Sequence, residues 1–278
     1  MSVFYEQTLK TLLESGGIER SWEVLAVCAG TRDRDVLTSA GFTRGVISNL
    51  DRDVAPDEFA PFSWERLDAE ALDRPDDSVD VSVVHAGLHH CASPHRALAE
   101  MYRVARHGVL VFEARDSASM RAAVRLGVAD AYEIEAVLDQ EGRAGGHRNT
   151  AVPNHVYRWT ERDVIKTVAS IDPAVTPAVE FFHDVEVPTD RLSLSRRPLV
   201  RIGGRLVGLA GGVVARAFPK QGNRFAFHVD KRRAVGHPWL VEQDESMVLD
   251  PSWIEPRFRA RGSAQSPTAG RRWGRQNN

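Results

Sequence analysis

An α/β fold on a mostly parallel sheet is the architecture predicted by this chain of 278 residues, and three observations carry that expectation. Two apolar runs rich in β-branched residues, Val79 to Val84 and Val109 to Phe112, flank an amphipathic segment; strand, helix and strand at this separation form a right-handed crossover unit. A further apolar run, Val24 to Val27, leads into the small-residue turn Cys28-Ala29-Gly30, where an open parallel sheet receives a ligand. The composition, 42% apolar and 27% charged, is that of a soluble globular chain long enough for one large domain with additions.

The elements follow in order. Phe4 to Leu13 has the spacing of an amphipathic helix and is closed by Gly16-Gly17. After the Val24 strand, Asp33 to Ala40 reads as a helix ended by Gly41. Gly45 to Ser48 is the next strand, with Asn49-Leu50-Asp51 at its carboxyl end. The turn Pro75-Asp76-Asp77-Ser78 opens the Val79 strand. Ser93 caps a helix whose first position is Pro94, with Ala97, Leu98, Met101, Val104 and Ala105 on one face; Gly108 is expected to end it. Asp116 to His147 reads as helical and mixed in charge, and Gly145 to Asn149 as a flexible loop suited to a lid. Thr160 to Asp163 is a capping box opening another helix. Glu180 to Val187 and Asn223 to Val229 alternate as the last two strands, with Arg191 to Lys220 an insertion between them.

Composition also excludes. A formal net charge of −2 gives no global attraction to nucleic acid. Two cysteines, Cys28 and Cys91, suit a reducing compartment, and with no charged-then-apolar leader the expected location is cytoplasmic. The apolar run Leu206 to Val214 is too short to span a bilayer; it reads as a buried Gly-rich helix or as a basic-flanked surface that touches a membrane peripherally. From Arg257 onward six arginines and no acid read as a disordered basic tail, and Trp273 alone does not make a stacking platform for nucleic acid. The expected organisation is an N-terminal helix (1–20), a main domain (21–255, its cofactor-binding core 21–116 and its substrate and lid region 117–255) and the tail (256–278).

The series Asp68-Ala69-Glu70, then Pro75-Asp76-Asp77-Ser78-Val79-Asp80, then strand, His89-His90, helix and strand, resembles the second half of the cofactor-binding core of class I S-adenosylmethionine-dependent methyltransferases of the type 11 family, with Val79 in place of the usual Phe. The resemblance runs from Trp22 to Asp116 and more loosely to Lys231. It implies a Rossmann-like, seven-stranded, mostly parallel sheet with helices on both faces, and S-adenosylmethionine as cofactor. It assigns cofactor contacts to the first turn (Ala29, Gly30, Thr31), to Asn49 and Asp51 for the ribose hydroxyls, to Asp68 and Ala69 for adenine, and to His85. The first turn departs from the family pattern: Ala26 stands where an acid is usual, and Gly30 is the glycine that remains. Asp33 and the backbone are the candidates to compensate.

His85, His89, His90, Cys91 and His95 cluster in sequence without the paired spacing of a zinc site, so no metal is expected. Within the resemblance, His89 and His90 follow the fourth strand, where sulfonium methyl and acceptor meet. Methyl transfer from a sulfonium needs alignment and exclusion of water, and a hydroxyl acceptor also needs its proton removed, a task suited to imidazole. His89 is the first candidate base, His90 the second, and Glu113 a second base or an orienting group. A backbone-satisfying role for either imidazole is the competing reading. His155, Tyr157 and Arg158 are candidates to line the acceptor pocket, with Trp159 either beside them or packed on the core. A diffuse likeness of this segment to bacterial methyltransferases of surface-polysaccharide and related pathways implies a small-molecule or glycan-like hydroxyl acceptor. Two rivals stay open: a non-catalytic module that kept the fold with an eroded loop, and a dinucleotide-dependent oxidoreductase, against which the absence of a Gly-x-Gly-x-x-Gly turn argues.

Overall fold

The computed structural model describes residues 2–51, 54–185, 218–244 and 246–258. Seven strands form one sheet in the order β3-β2-β1-β4-β5-β7-β6: β1 Val24–Val27, β2 Gly45–Asn49, β3 Ser63–Arg66, β4 Val79–His85, β5 Ala105–Ala114, β6 Val175–Asp184 and β7 Arg224–Gly236. The first five pair in parallel, and β7 runs antiparallel to β5 with Val111 opposite Phe227. This is the seven-stranded sheet expected from the resemblance. It places the carboxyl ends of β1, β2, β4 and β5 on one edge.

β1 and β4 are apolar because both sheet faces are covered. Leu25, Val27, Val84, Leu98, Met101 and Val111 pack in one core, and Val24, Ala26, Val81, Val83, Leu110 and Phe112 in the other. Helix α1 (Ser2–Ser15) contributes Tyr5, Leu9 and Leu12 to the second core. Helix α2 (Thr31–Ser39) starts at Gly30, whose amide donates to Asp33 Oδ2 at 2.9 Å, the reciprocal bond of a capping box. Ser93 Oγ accepts from Arg96 N ahead of α3 (Pro94–Val104), and Thr160 and Asp163 cap α6 (Glu161–Ile171) as the sequence predicts.

Several elements differ from expectation. Helix α3 ends at Val104, and Gly108 lies inside β5 rather than closing the helix. A Cβ there would come within 2.5 Å of the Val229 carbonyl oxygen and 3.1 Å of His228 Nε2, so the glycine permits close pairing with β7. Strand β3, the polar edge run Ser-Trp-Glu-Arg, carries no apolar alternation and escaped the sequence reading. The stretch after Asp116 is two short helices, α4 (Ala118–Arg125) and α5 (Ile134–Asp139), separated by irregular chain. Trp159 is fully buried and joins the core beside Phe227, with Tyr157 and His95 against its ring.

The described residues divide into two compact units, one drawn from residues 2–172 and 177–234, the other from Pro173–Thr176 and residues 235–258. The second holds the hairpin of β8 (Leu240–Gln243) and β9 (Ser246–Leu249) and helix α7 (Pro251–Phe258), with Trp239 stacked on His237 at 4.1 Å. Residues 256–258 thus close a helix. The rest of the expected basic tail, the run Leu206 to Val214, and residues 191–217 of the expected insertion lie outside the described residues. No helix among the described residues is long and apolar enough to cross a membrane.

Candidate active site

The edge formed by the carboxyl ends of β1, β2, β4 and β5 gathers the predicted site residues in two groups. The first surrounds the turn after β1. Cys28 adopts a left-handed backbone (φ 51°), turning the chain so that Ala29 N donates to Ser48 O at 2.9 Å and Gly30 opens α2. A Cβ on Gly30 would meet nothing within 4 Å, so open space lies over this turn. Asp33, a candidate to compensate for the acid that the strand lacks, is buried, and burial lifts its pKa to about 6 against the hydrogen bond from Gly30. Asn49 is committed to structure, donating from Nδ2 to Ala29 O at 2.8 Å and accepting from Asp51 N at 2.9 Å. Of the pair assigned to the ribose, Asp51 keeps a carboxylate outward while Asn49 braces the turn. His85 stacks on Tyr5 of α1 at 4.9 Å with planes 5° apart, and burial lowers its pKa to about 4, so it is neutral near pH 7.

The two carboxylates expected to hold an adenosine are both engaged by one turn. Arg148 Nη2 lies 2.8 Å from Asp68 Oδ2, and Asn149 Nδ2 donates to Asp51 Oδ1 at 2.8 Å. Arg148 and Asn149 both have positive φ (50° and 57°), and Asn149 Oδ1 accepts from Gly145 N at 3.0 Å, which steers both side chains the same way. The Gly-rich loop therefore folds over the edge that carries Asp51 and Asp68. Asp68 Oδ1 also takes the amide of Glu70 at 3.0 Å, and Ala69 is buried behind it.

The second group stands at the ends of β4 and β5. The short 3-10 turn Leu88–His90 carries both imidazoles. Glu113, buried near the end of β5, accepts from Leu88 N at 2.7 Å through one oxygen and meets His89 Nδ1 at 2.6 Å through the other. His89 Nε2 lies 3.0 Å from Glu133 Oε2, and His90 Nε2 lies 3.2 Å from the same oxygen. Burial opposes charge on His89, but the Glu113 carboxylate and the hydrogen bonds to Glu113 and Glu133 outweigh it and lift its pKa to about 10. His90 and, foremost, His89 hold Glu133 well below the usual carboxylate range by hydrogen bonding. In this arrangement both His89 ring nitrogens are spoken for. The His90 side chain, which shares Glu133 Oε2 with it, is a quarter exposed.

Glu133 is the functional candidate that the sequence reading missed. It lies 43 residues beyond His90 as the N-cap of α5, in a stretch of mixed charge with no motif, and only the fold brings it to the histidines. Asn154, buried, accepts from Glu133 N at 3.0 Å through its backbone and lies 3.4 Å from Glu133 Oε2 through Nδ2. His89, His90 and Glu133 are also the one group of described residues whose donor atoms, all within 4.8 Å of one another, are arranged to hold a metal ion.

The predicted acceptor residues follow Asn154 in sequence and differ in their engagement. Tyr157 packs edge-on against His95 and Trp159, its hydroxyl 3.3 Å from His95 Nε2. Arg158 is held by the carbonyls of Asp130 and Val156, and His155 packs edge-on with exposed Tyr132.

Residues 36–112 match the family described as a methyltransferase domain. Among solved structures, the chain is similar to the YcgJ protein of Bacillus subtilis (13% identity, 81% of this chain and 98% of that one, TM-score 0.48). It is also similar to magnesium protoporphyrin IX methyltransferase of Synechocystis with bound S-adenosylhomocysteine (10%, 82% and 84%, TM-score 0.47). A third similar structure is an S-adenosylmethionine-dependent methyltransferase of Archaeoglobus fulgidus (12%, 81% and 94%, TM-score 0.46). No curated protein matches the chain.

Proposed function

We propose that the chain, whose residues 36–112 match a methyltransferase domain, takes S-adenosylmethionine as its cofactor and methylates a hydroxyl oxygen of a small or glycan-like acceptor at the rim formed by His89, His90 and Glu133. The observation that supports this reading is the unbroken chain of Glu113, His89, Glu133 and His90 at the ends of β4 and β5. A sulfonium leaves as a neutral thioether, so the transfer itself asks for alignment and a dry site. What distinguishes a hydroxyl acceptor is the proton it must lose. An imidazole placed by a carboxylate is the side chain suited to take it.

The roles divide as follows. Glu113, fixed by Leu88 N, orients His89. His89 holds Glu133, and Glu133 in turn orients His90, which takes the acceptor proton. Asp51, Asp68, Ala69 and His85 receive the adenosine, with the Ala29-Gly30-Thr31 turn, braced by Asn49, at the amino acid end. Arg148 and Asn149 leave Asp68 and Asp51 when the cofactor enters. His155, Tyr157 and Arg158 are proposed to face the acceptor.

The test is incubation of the protein with methyl-labelled S-adenosylmethionine and panels of phenols, sugar hydroxyls, amines and activated carbons. Label recovered as an O-methyl ether is the expected result. Label recovered only on nitrogen or carbon overturns the oxygen assignment.

A further inference from the structure

We propose that His89 Nε2, His90 Nε2 and Glu133 Oε2 form the binding site of a divalent transition-metal ion of the zinc and cobalt class, open at a further position to an oxygen ligand. The three atoms all lie within 4.8 Å of one another. Glu133 Oε2 is 3.0 Å from His89 Nε2 and 3.2 Å from His90 Nε2. Tetrahedral ligands about 2.0–2.1 Å from zinc are roughly 3.3 Å apart. The two edges that meet at Glu133 Oε2 are thus within a few tenths of an ångström of the spacing that an ion imposes.

The surroundings are those of a metal site rather than of a surface ion pair. A ligating imidazole needs its other nitrogen fixed by an acceptor, which sets the tautomer and leaves the ligating lone pair free. Glu113 does this at His89 Nδ1, at 2.6 Å, and is itself pinned by Leu88 N. The third ligand is steadied by Asn154, whose backbone oxygen accepts from Glu133 N. The Asn154 side chain gives a second, independent sign. It is buried, its Nδ2 approaches Glu133 Oε2, and its Oδ1 has no hydrogen-bond partner among the described residues. A buried amide oxygen without a partner is costly, and a water bound to the ion would supply the missing donor. Two imidazoles and one carboxylate favour the zinc and cobalt class over magnesium or calcium, which prefer oxygen-only shells. His89 is nearly closed off, while the His90 and Glu133 side chains are 25% and 35% exposed, so the site is open on one side.

Use of the ion in catalysis rests on the oxygen-acceptor reading above, with the bound ion taking over from His90 the task of acidifying the hydroxyl; its binding does not rest on that reading. An acceptor hydroxyl taking the open position would be acidified by the ion, as metal-bound water is. It would present an alkoxide or phenolate to the sulfonium methyl, and its proton would pass to solvent.

The test has two readouts on the full-length protein. Metal-stripped protein is titrated with Co²⁺, following the visible d–d spectrum, and with Zn²⁺ against a chromophoric chelator; S-adenosylhomocysteine binding is measured in parallel. The expected result is one ion per chain with a tetrahedral cobalt spectrum, lost in Glu133→Ala and in His90→Ala, whose side chains are partly exposed. Glu113→Gln, which keeps the ligands and alters only their support, should lower affinity about 10- to 100-fold. Absence of a stoichiometric ion while S-adenosylhomocysteine still binds overturns the metal site and leaves the methyltransferase reading standing. So does ion binding that both Ala variants leave unchanged. Stoichiometric metal without any cofactor binding supports the site and removes the methyltransferase reading instead.

Discussion

Arg148 and Asn149 occupy the carboxylates proposed to hold the cofactor, so removing their side chains should tighten cofactor binding. Arg148 and Asp68 are 2.8 Å apart with side chains 52% and 28% exposed, which places the pair among solvent-screened ion pairs of about 0.2–1 kcal/mol. The Asn149 to Asp51 hydrogen bond, also exposed, adds about 0.5–1.5 kcal/mol. If both are broken when adenosine enters, the double variant Arg148→Ala with Asn149→Gly recovers about 1–2 kcal/mol. That corresponds to a Kd roughly 5- to 30-fold lower. Glycine is chosen at 149 because φ there is 57°, a conformation it adopts without strain. The assay is calorimetric titration with S-adenosylhomocysteine at low and moderate salt, where the wild-type disadvantage should shrink as salt screens the ion pair. A Kd that rises in the variant would refute the reasoning. It would mean that the turn cradles the adenosine and the two contacts persist in the complex.

Three further outcomes follow from the same structure. His90→Gln should lower kcat roughly 100- to 10,000-fold while leaving cofactor affinity unchanged, measured by initial rates and calorimetry; an equal loss of both would remove His90 from the chemistry. His228 is buried with Nε2 unpartnered among the described residues, and burial holds its pKa near 4. Because the unfolded chain takes up this proton near pH 6.5 and the folded one only near 4, stability falls as pH drops through that window, by at most about 3 kcal/mol. His228→Phe should remove that share of the slope in urea titrations at pH 7 and pH 4.5, leaving the share of His85, which shifts the same way; an unaltered slope would contradict it. Tyr5 buries a hydroxyl with no partner among the described residues while its ring stacks on His85. Tyr5→Phe keeps the ring, so thermal melting should show stability unchanged or raised by about 1 kcal/mol; a loss of that size would reveal a partner for the hydroxyl.

What the sequence disclosed and what it hid have physical causes. Buried parallel strands announce themselves as β-branched runs, so β1, β4 and β5 were legible. Strand β3 was not, because an edge strand half open to solvent needs no apolar alternation. Gly108 looked like a helix stop because glycine ends helices more often than it lets two strands approach, and the deciding contact, Val229, is 121 residues away. Within the site, Asp68 and the histidine pair were visible in the local motif that carries the family resemblance. Glu133 was not: an acid becomes a partner for His89 only once the chain after β5 folds back, and nothing near it in sequence marks that return. The engagement of Asn49 was equally hidden, since an amide bracing Ala29 and an acid receiving a ribose occupy the same position in the pattern.

The most direct measurement is calorimetric titration of the purified protein with S-adenosylmethionine and S-adenosylhomocysteine, with NAD as the control ligand and Asp68→Ala as the control protein. Micromolar binding of both sulfur ligands, none of NAD, and at least a tenfold loss in Asp68→Ala, about 1.4 kcal/mol, are the predicted results. Failure of both sulfur ligands to bind, or binding that Asp68→Ala leaves untouched, would contradict the cofactor site assigned to this edge of the sheet.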